Sequence, residues 1–236
     1  MTSPESGHPP ATQVGEWGAA LALLPIAATI DYYALPDWLQ DHTLIQFTPQ
    51  IIAYLAFALW AYHNGSILIR FGLEKQQVSR GLKIGAVTGL ILGCLNSFVI
   101  LQLIPRLGYD VSFLKHTPHA LLPVLLMVPW FIAAIALFVE FNFRGFLLGR
   151  LVALESGFWN LPSIRRFSPA ALLTSALVFS FDPFMVNTFQ HLHWIAVWDG
   201  LIWGLIWLQT RNLYATVVAH AIEVIVVYSA VRAALI

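Results

Sequence analysis

The sequence specifies an all-α protein: a polytopic membrane helix bundle of about seven transmembrane helices with a cytoplasmic N-terminus. Three observations predict it. Of 236 residues, 58% are hydrophobic and only 10% charged, where an ordinary soluble domain carries about 45 to 50% and about 25%. Apolar runs long enough to cross a bilayer recur along the whole chain. Small residues recur at every fourth position within several of them, which lets helices approach closely. Twelve Lys and Arg balance twelve Asp and Glu, so no basic excess exists to neutralise phosphates, and nucleic-acid binding is excluded as a function class. The single cysteine, Cys94, excludes an intrachain disulfide and a Cys-based zinc cage.

Residues 1–15 are rich in Pro, Ser and Thr and lack Lys and Arg. They lack the basic segment that opens a signal peptide and read as a disordered N-terminal tail. Residues 16–236 read as a single transmembrane helical domain. At about 20 apolar residues per crossing, spans fall near 17–35, 44–62, 82–104, 119–152, 168–187, 190–209 and 212–235. Pro25 interrupts the first. The fourth is long enough to protrude from the membrane or to bend at Pro123 and Pro129. Gly81, Gly85, Gly89 and Gly93 flatten one face of the third span, and Gly145 with Gly149 and Gly200 with Gly204 repeat the spacing. Packing within one bundle is the expected use.

Cytoplasmic loops are enriched in Lys and Arg. Arg70, Lys75, Arg80 and Lys83 precede the third span, and Arg144, Arg150, Arg165 and Arg166 lie along and after the fourth. With Arg211 these put nine positive residues inside and leave Arg106, Lys115 and Arg232 outside. Trp38 and Trp194 then fall near the outer interface and Trp159 near the inner one.

Charges inside hydrocarbon cost several kcal/mol unless paired, so those that persist face the bundle interior and mark candidate sites. Glu140 and Arg144 form an i, i+4 pair, readable as a structural salt bridge or as part of a site. Asn142 points away from that pair and is free to bond another helix. Asp182 precedes Pro183, which strips the carbonyl four residues earlier of its helical donor. The carboxylate either caps that kink or does chemistry there. Asp199 is placed to pair with Arg144 or His220. Thr216, His220 and Glu223 follow at i, i+4 and i+7, a polar stripe that must point inward. His191 and His193 do not share a helical face and read as interfacial. At ~1.5 Å per residue, Glu140 and Asp182 lie about 20 Å from the inner end of their spans and His220 about 12 Å. Such groups can converge on a pocket open to the cytoplasm, where carboxylate and imidazole activate water for attack on a peptide bond.

Three stretches resemble the CPBP intramembrane endopeptidases, the family of type II CAAX prenyl proteases and of bacteriocin-processing or immunity proteins. Val139-Glu140 and Arg144-Gly145-Phe146-Leu147-Leu148 match the family's Glu-Glu-x-x-x-Arg motif except at the first Glu. Ser175 to Pro183 resembles its Phe-x-x-x-His segment, with Asp182 or Pro183 where the His is expected. Asp199-Gly200-Leu201-Ile202-Trp203-Gly204, Thr210-Arg211-Asn212-Leu213-Tyr214 and Ala219-His220-Ala221 are similar to the glycine-spaced helix, the tight turn and the helix bearing the final His. The likeness covers about residues 120–235.

The resemblance implies hydrolysis of a peptide bond in a membrane-associated or lipidated substrate, within a prokaryotic inner membrane. In the family, the first Glu and the second-motif His activate water, while the final His and an Asn stabilise the oxyanion. Carried over, His220 keeps its place and Glu140 and Arg144 match the supporting pair, but Val139, Asp182 and Val224 depart. Adjacent helix residues point about 100° apart, so Glu140 replaces Val139 only if the helix rotates or bulges. The expected catalytic set is Glu140, Asp182 and His220, supported by Arg144, Asn142, Asp199 and Glu223. No cofactor is expected, although a metal held by His220 with Asp182 or Glu140 stays open. The alternatives are an inactive member that binds a membrane peptide and a small transporter or proton relay.

Overall fold

The computed structural model describes residues 18–158 and 167–236. The expected tail, Trp159, Arg165 and Arg166 lie outside the described residues. Among those residues there are helices and no strands, as the bilayer requires when every backbone group must be satisfied within its own segment. The principal helices are α1 (Leu23–Ala34), α2 (Thr48–His63), α3 (Val78–Phe98), α4 (Leu125–Phe158), α5 (Pro169–Ser180), α6 (Pro183–Phe189), α7 (Ile195–Thr210) and α8 (Leu213–Leu235), joined by shorter helical turns.

Each apolar run in the sequence holds helix. By length and composition, Ile67–Arg106, Leu125–Phe158 and Leu213–Leu235 are able to cross a membrane. A fourth crossing forms if Pro169–Ser180 and Pro183–Leu192, bent by 54°, count as one broken span. Ala19–Ala34 and Ile195–Thr210 are apolar but shorter.

The glycine spacing is used inside the bundle. A Cβ on Gly85 would lie 2.6 Å from the Ala215 carbonyl oxygen, and one on Gly89 2.6 Å from that of Ala219, so α3 and α8 pack nearly backbone to backbone. Gly200 faces Ala176 and Gly204 faces Leu172, seating α7 on α5. Lipid is as apolar as Leu, so such fits gain their stability from dispersion rather than from leaving water. An aromatic cluster locks α2 to α4: Trp60 stacks on Phe71 at 5.8 Å, and Phe57 and Phe146 close around them.

Two features of α4 and α5 set the site. The long α4 widens to π geometry over Trp130–Ala136 and again over Phe141–Leu148, on either side of Glu140; such bulges re-aim side chains and recur at functional sites. At the start of α5, Glu155 accepts from the backbone of Ala170 (3.4 Å) and Ala171 (3.0 Å), supplying partners for the helix's free N–H groups. Outside the membrane helices, Asp110 accepts from the Ser112 backbone at 2.8 Å and its hydroxyl at 2.7 Å. Those bonds hold the Asp110 carboxyl below the ordinary carboxylate range.

Candidate active site

The expected inward stripe of α8 is present, with Thr216, His220 and Glu223 all buried. His220 Nδ1 lies 2.9 Å from Glu140 Oε1. With the carboxylate ionised, Nδ1–H is the donor, which sets the tautomer and leaves Nε2 as the nitrogen for a ligand. Glu140 Oε1 also contacts the Arg144 guanidinium at 3.2 Å. Arg144 is itself sandwiched, 4.7 Å from the Phe179 ring centre and 5.1 Å from that of Trp203. The imidazole stacks on Trp203 at 4.4 Å with an interplanar angle of 19°. Helices α4, α5, α7 and α8 thus hold one histidine ring by a charge-assisted bond on its edge and an indole on its face.

In front of His220 is a cavity of about 470 Å³. Aromatic and aliphatic side chains make most of its wall, and its polar groups are few, among them Gln50, Asp182, Asp199, His220, Glu223 and Tyr228. Val139 lines it, whereas Glu140 does not. The π turns of α4 therefore leave the roles of these neighbours distinct, with Val139 facing the cavity and Glu140 behind His220. The wall extends to Phe47, Pro118, His119, Leu192 and His193. These residues belong to the end of the bundle opposite Arg70, Lys75 and Arg211.

Asp199 pairs with neither His220 nor Arg144 by hydrogen bond, contrary to expectation. It accepts from Asn96 Nδ2 at 3.2 and 3.1 Å through its two oxygens, and Arg144 contributes only through its charge. The same nitrogen donates to Glu223 Oε1 at 2.9 Å, and Trp198 Nε1 donates to Asn96 Oδ1 at 3.0 Å. Asn96, fully buried on α3, is the residue that sequence reasoning missed. Its signal was present: it follows Gly93 by three residues and so continues the face that packs on α8.

Asp182 both caps and faces the cavity. Its Oδ1 accepts from Gln50 Nε2 at 2.7 Å and from the Phe184 backbone at 3.0 Å, making it the N-cap of α6 at the bend. The Phe179 carbonyl, stripped of its donor by Pro183, takes the Asp182 N–H at 3.4 Å instead. Asn142 is buried, but its Oδ1 finds no partner among the described residues. It borders a water-sized hole shared with Thr29, Gln50 and Asp182. Among the described residues no group of three or more His, Cys, Asp or Glu is gathered to hold a metal, so His220, Asp182 and Glu140 form no ligand set.

Residues 120–226 match the family model described as type II CAAX prenyl endopeptidase Rce1-like. This segment is Rce1-like. It spans a little under half of the chain and contains Glu140, Arg144, Asp182, Asp199, His220 and Glu223, while Asn96 lies outside it. No curated protein and no solved structure matches the chain significantly. The Rce1-like segment and the apolar helices together make this an integral membrane protein.

Proposed function

We propose that the chain is an intramembrane endopeptidase that hydrolyses a peptide bond of a membrane-associated or lipidated substrate bound in the cavity. The observation that carries this reading is His220, oriented by Glu140 and presented to an apolar cavity inside an Rce1-like segment. In this reading the ring carries a proton on both nitrogens, Nδ1–H held by Glu140, so that Nε2–H donates to the scissile carbonyl and stabilises the oxyanion, and a cavity carboxylate activates water. Asp182 offers one such carboxylate in the place of the family's second-motif His, although its Oδ1 is already engaged by the α6 cap. The reading includes about seven crossings, a cytoplasmic N-terminus and a prokaryotic inner membrane. The Lys and Arg asymmetry supports the topology, and in this reading the cavity lies toward the outer face.

The test is cleavage of a lipidated peptide by the purified protein in liposomes. His220→Ala lowers kcat about 100-fold or more, with the helical circular-dichroism signal unchanged. Equal cleavage by both proteins would sink the assignment. A second reading has a specific observation in its favour: Val139 and Val224 both line the cavity, where the family resemblance implies a Glu and an Asn. An inactive peptide-binding protein then retains its cellular phenotype in the His220→Ala variant.

A further inference from the structure

Water activation on this scaffold needs a base, and the position that the family resemblance assigns to it is Val139, a side chain without a proton acceptor. Two other carboxylates line the same cavity, Asp199 from α7 and Glu223 from α8. They are tied to a single atom. Asn96 Nδ2 lies 3.1 Å from Asp199 Oδ2 and 2.9 Å from Glu223 Oε1, which keeps those two oxygens within about 6 Å of one another. Both side chains are more than nine-tenths buried. Two like charges that close in a low dielectric cannot both ionise, and such pairs hold one proton between them. Independently of the acids, Trp203 lines the cavity with only 1% of its surface exposed, and its Nε1–H has no hydrogen-bond partner among the described residues.

We propose that Asp199 and Glu223, joined by Asn96, share one proton and are the acid–base pair of the hydrolytic site, with Asn96 as their positioning residue. This rests on the endopeptidase reading. The ionised carboxylate takes a proton from water as the water oxygen bonds to the carbonyl carbon, and the carbonyl π pair moves onto its oxygen beside His220. The protonated carboxyl then gives its proton to the amide nitrogen as the C–N bond breaks with its electron pair on nitrogen. The products are a carboxylic acid and an amine, and the pair returns to one proton. Charged and titratable groups facing the pair are His220 and Tyr228 on α8 and Arg144 on α4, whose charge is balanced by Glu140.

The experiment combines two readouts on full-length protein in liposomes. Infrared spectroscopy in light and heavy water reports a protonated-carboxyl C=O band in the wild type, lost in Asp199→Asn and in Glu223→Gln. In cleavage assays each variant lowers kcat about 100-fold with KM unchanged, and Asn96→Asp, by adding a third acid, displaces the pH–rate profile. A purely structural role would instead lower the melting temperature and leave the pH profile in place. The proposal is overturned if the wild type lacks the band, or if both variants cleave within threefold of wild type. It is also overturned if only Asp182→Asn abolishes turnover. A wild type that cleaves no peptide overturns the endopeptidase reading, and the infrared band alone then decides whether the pair holds the proton.

Discussion

At the scale of single residues, the neighbours Val139 and Glu140 divide what a pair of acids would share. Val139 faces the cavity, and Glu140 is fully buried between His220 and Arg144. Removing one partner of a buried ion pair leaves the other uncompensated and costs about 3 to 5 kcal/mol. Arg144→Met therefore destabilises the fold by about that amount, while adding Glu140→Gln restores part of it; thermal melts of the two singles and the double measure the coupling. Additive losses would mean that the pair is not interacting. The sequence made the i, i+4 pair and the inward stripe of α8 legible because both follow from helical period alone. It did not reveal Asn96, because an isolated amide in a glycine-rich helix has no partner within its own segment. The partners of Asp199 were equally hidden, since they lie on α3 and α8 rather than on neighbouring turns.

At the scale of helices, bilayer arithmetic located each apolar run, and structure supplied what period and length do not carry. The bend at Pro183 was legible from the lost donor, and it is there, capped by Asp182. The π turns flanking Glu140 were not, since no residue type marks them as Pro marks a kink. The α3–α8 contact brings the two backbones together and is sensitive to volume. Gly85→Ala sets a methyl 2.6 Å from the Ala215 carbonyl and lowers stability by about 1 to 3 kcal/mol, the usual cost of overpacking. Gly65→Ala, where nothing lies within 4 Å, is the control. Melting in detergent separates them, and equal melting temperatures would show that α3 moves aside freely. Because Asn96 is three residues from Gly93, loosening this contact also loosens the carboxylate pair.

For the whole molecule, the charge asymmetry and the cavity position give one combined expectation. On the proposed topology, with the Lys- and Arg-rich loops and the N-terminus inside, the cavity wall at Pro118, His119 and His193 lies toward the outer face. In a Cys94→Ser background, a membrane-impermeant thiol reagent added to intact cells labels Pro118→Cys and spares Gln76→Cys. The reverse pattern would invert the topology and turn the cavity toward the cytoplasm. Either way the central claim is chemical: water attacks a peptide bond beside His220. It is tested most directly by digesting a lipidated peptide in water enriched in heavy oxygen and weighing the products. The account predicts one heavy oxygen in the new C-terminal carboxyl and no product from His220→Ala, whereas a peptide bound but uncleaved by the wild type would contradict it.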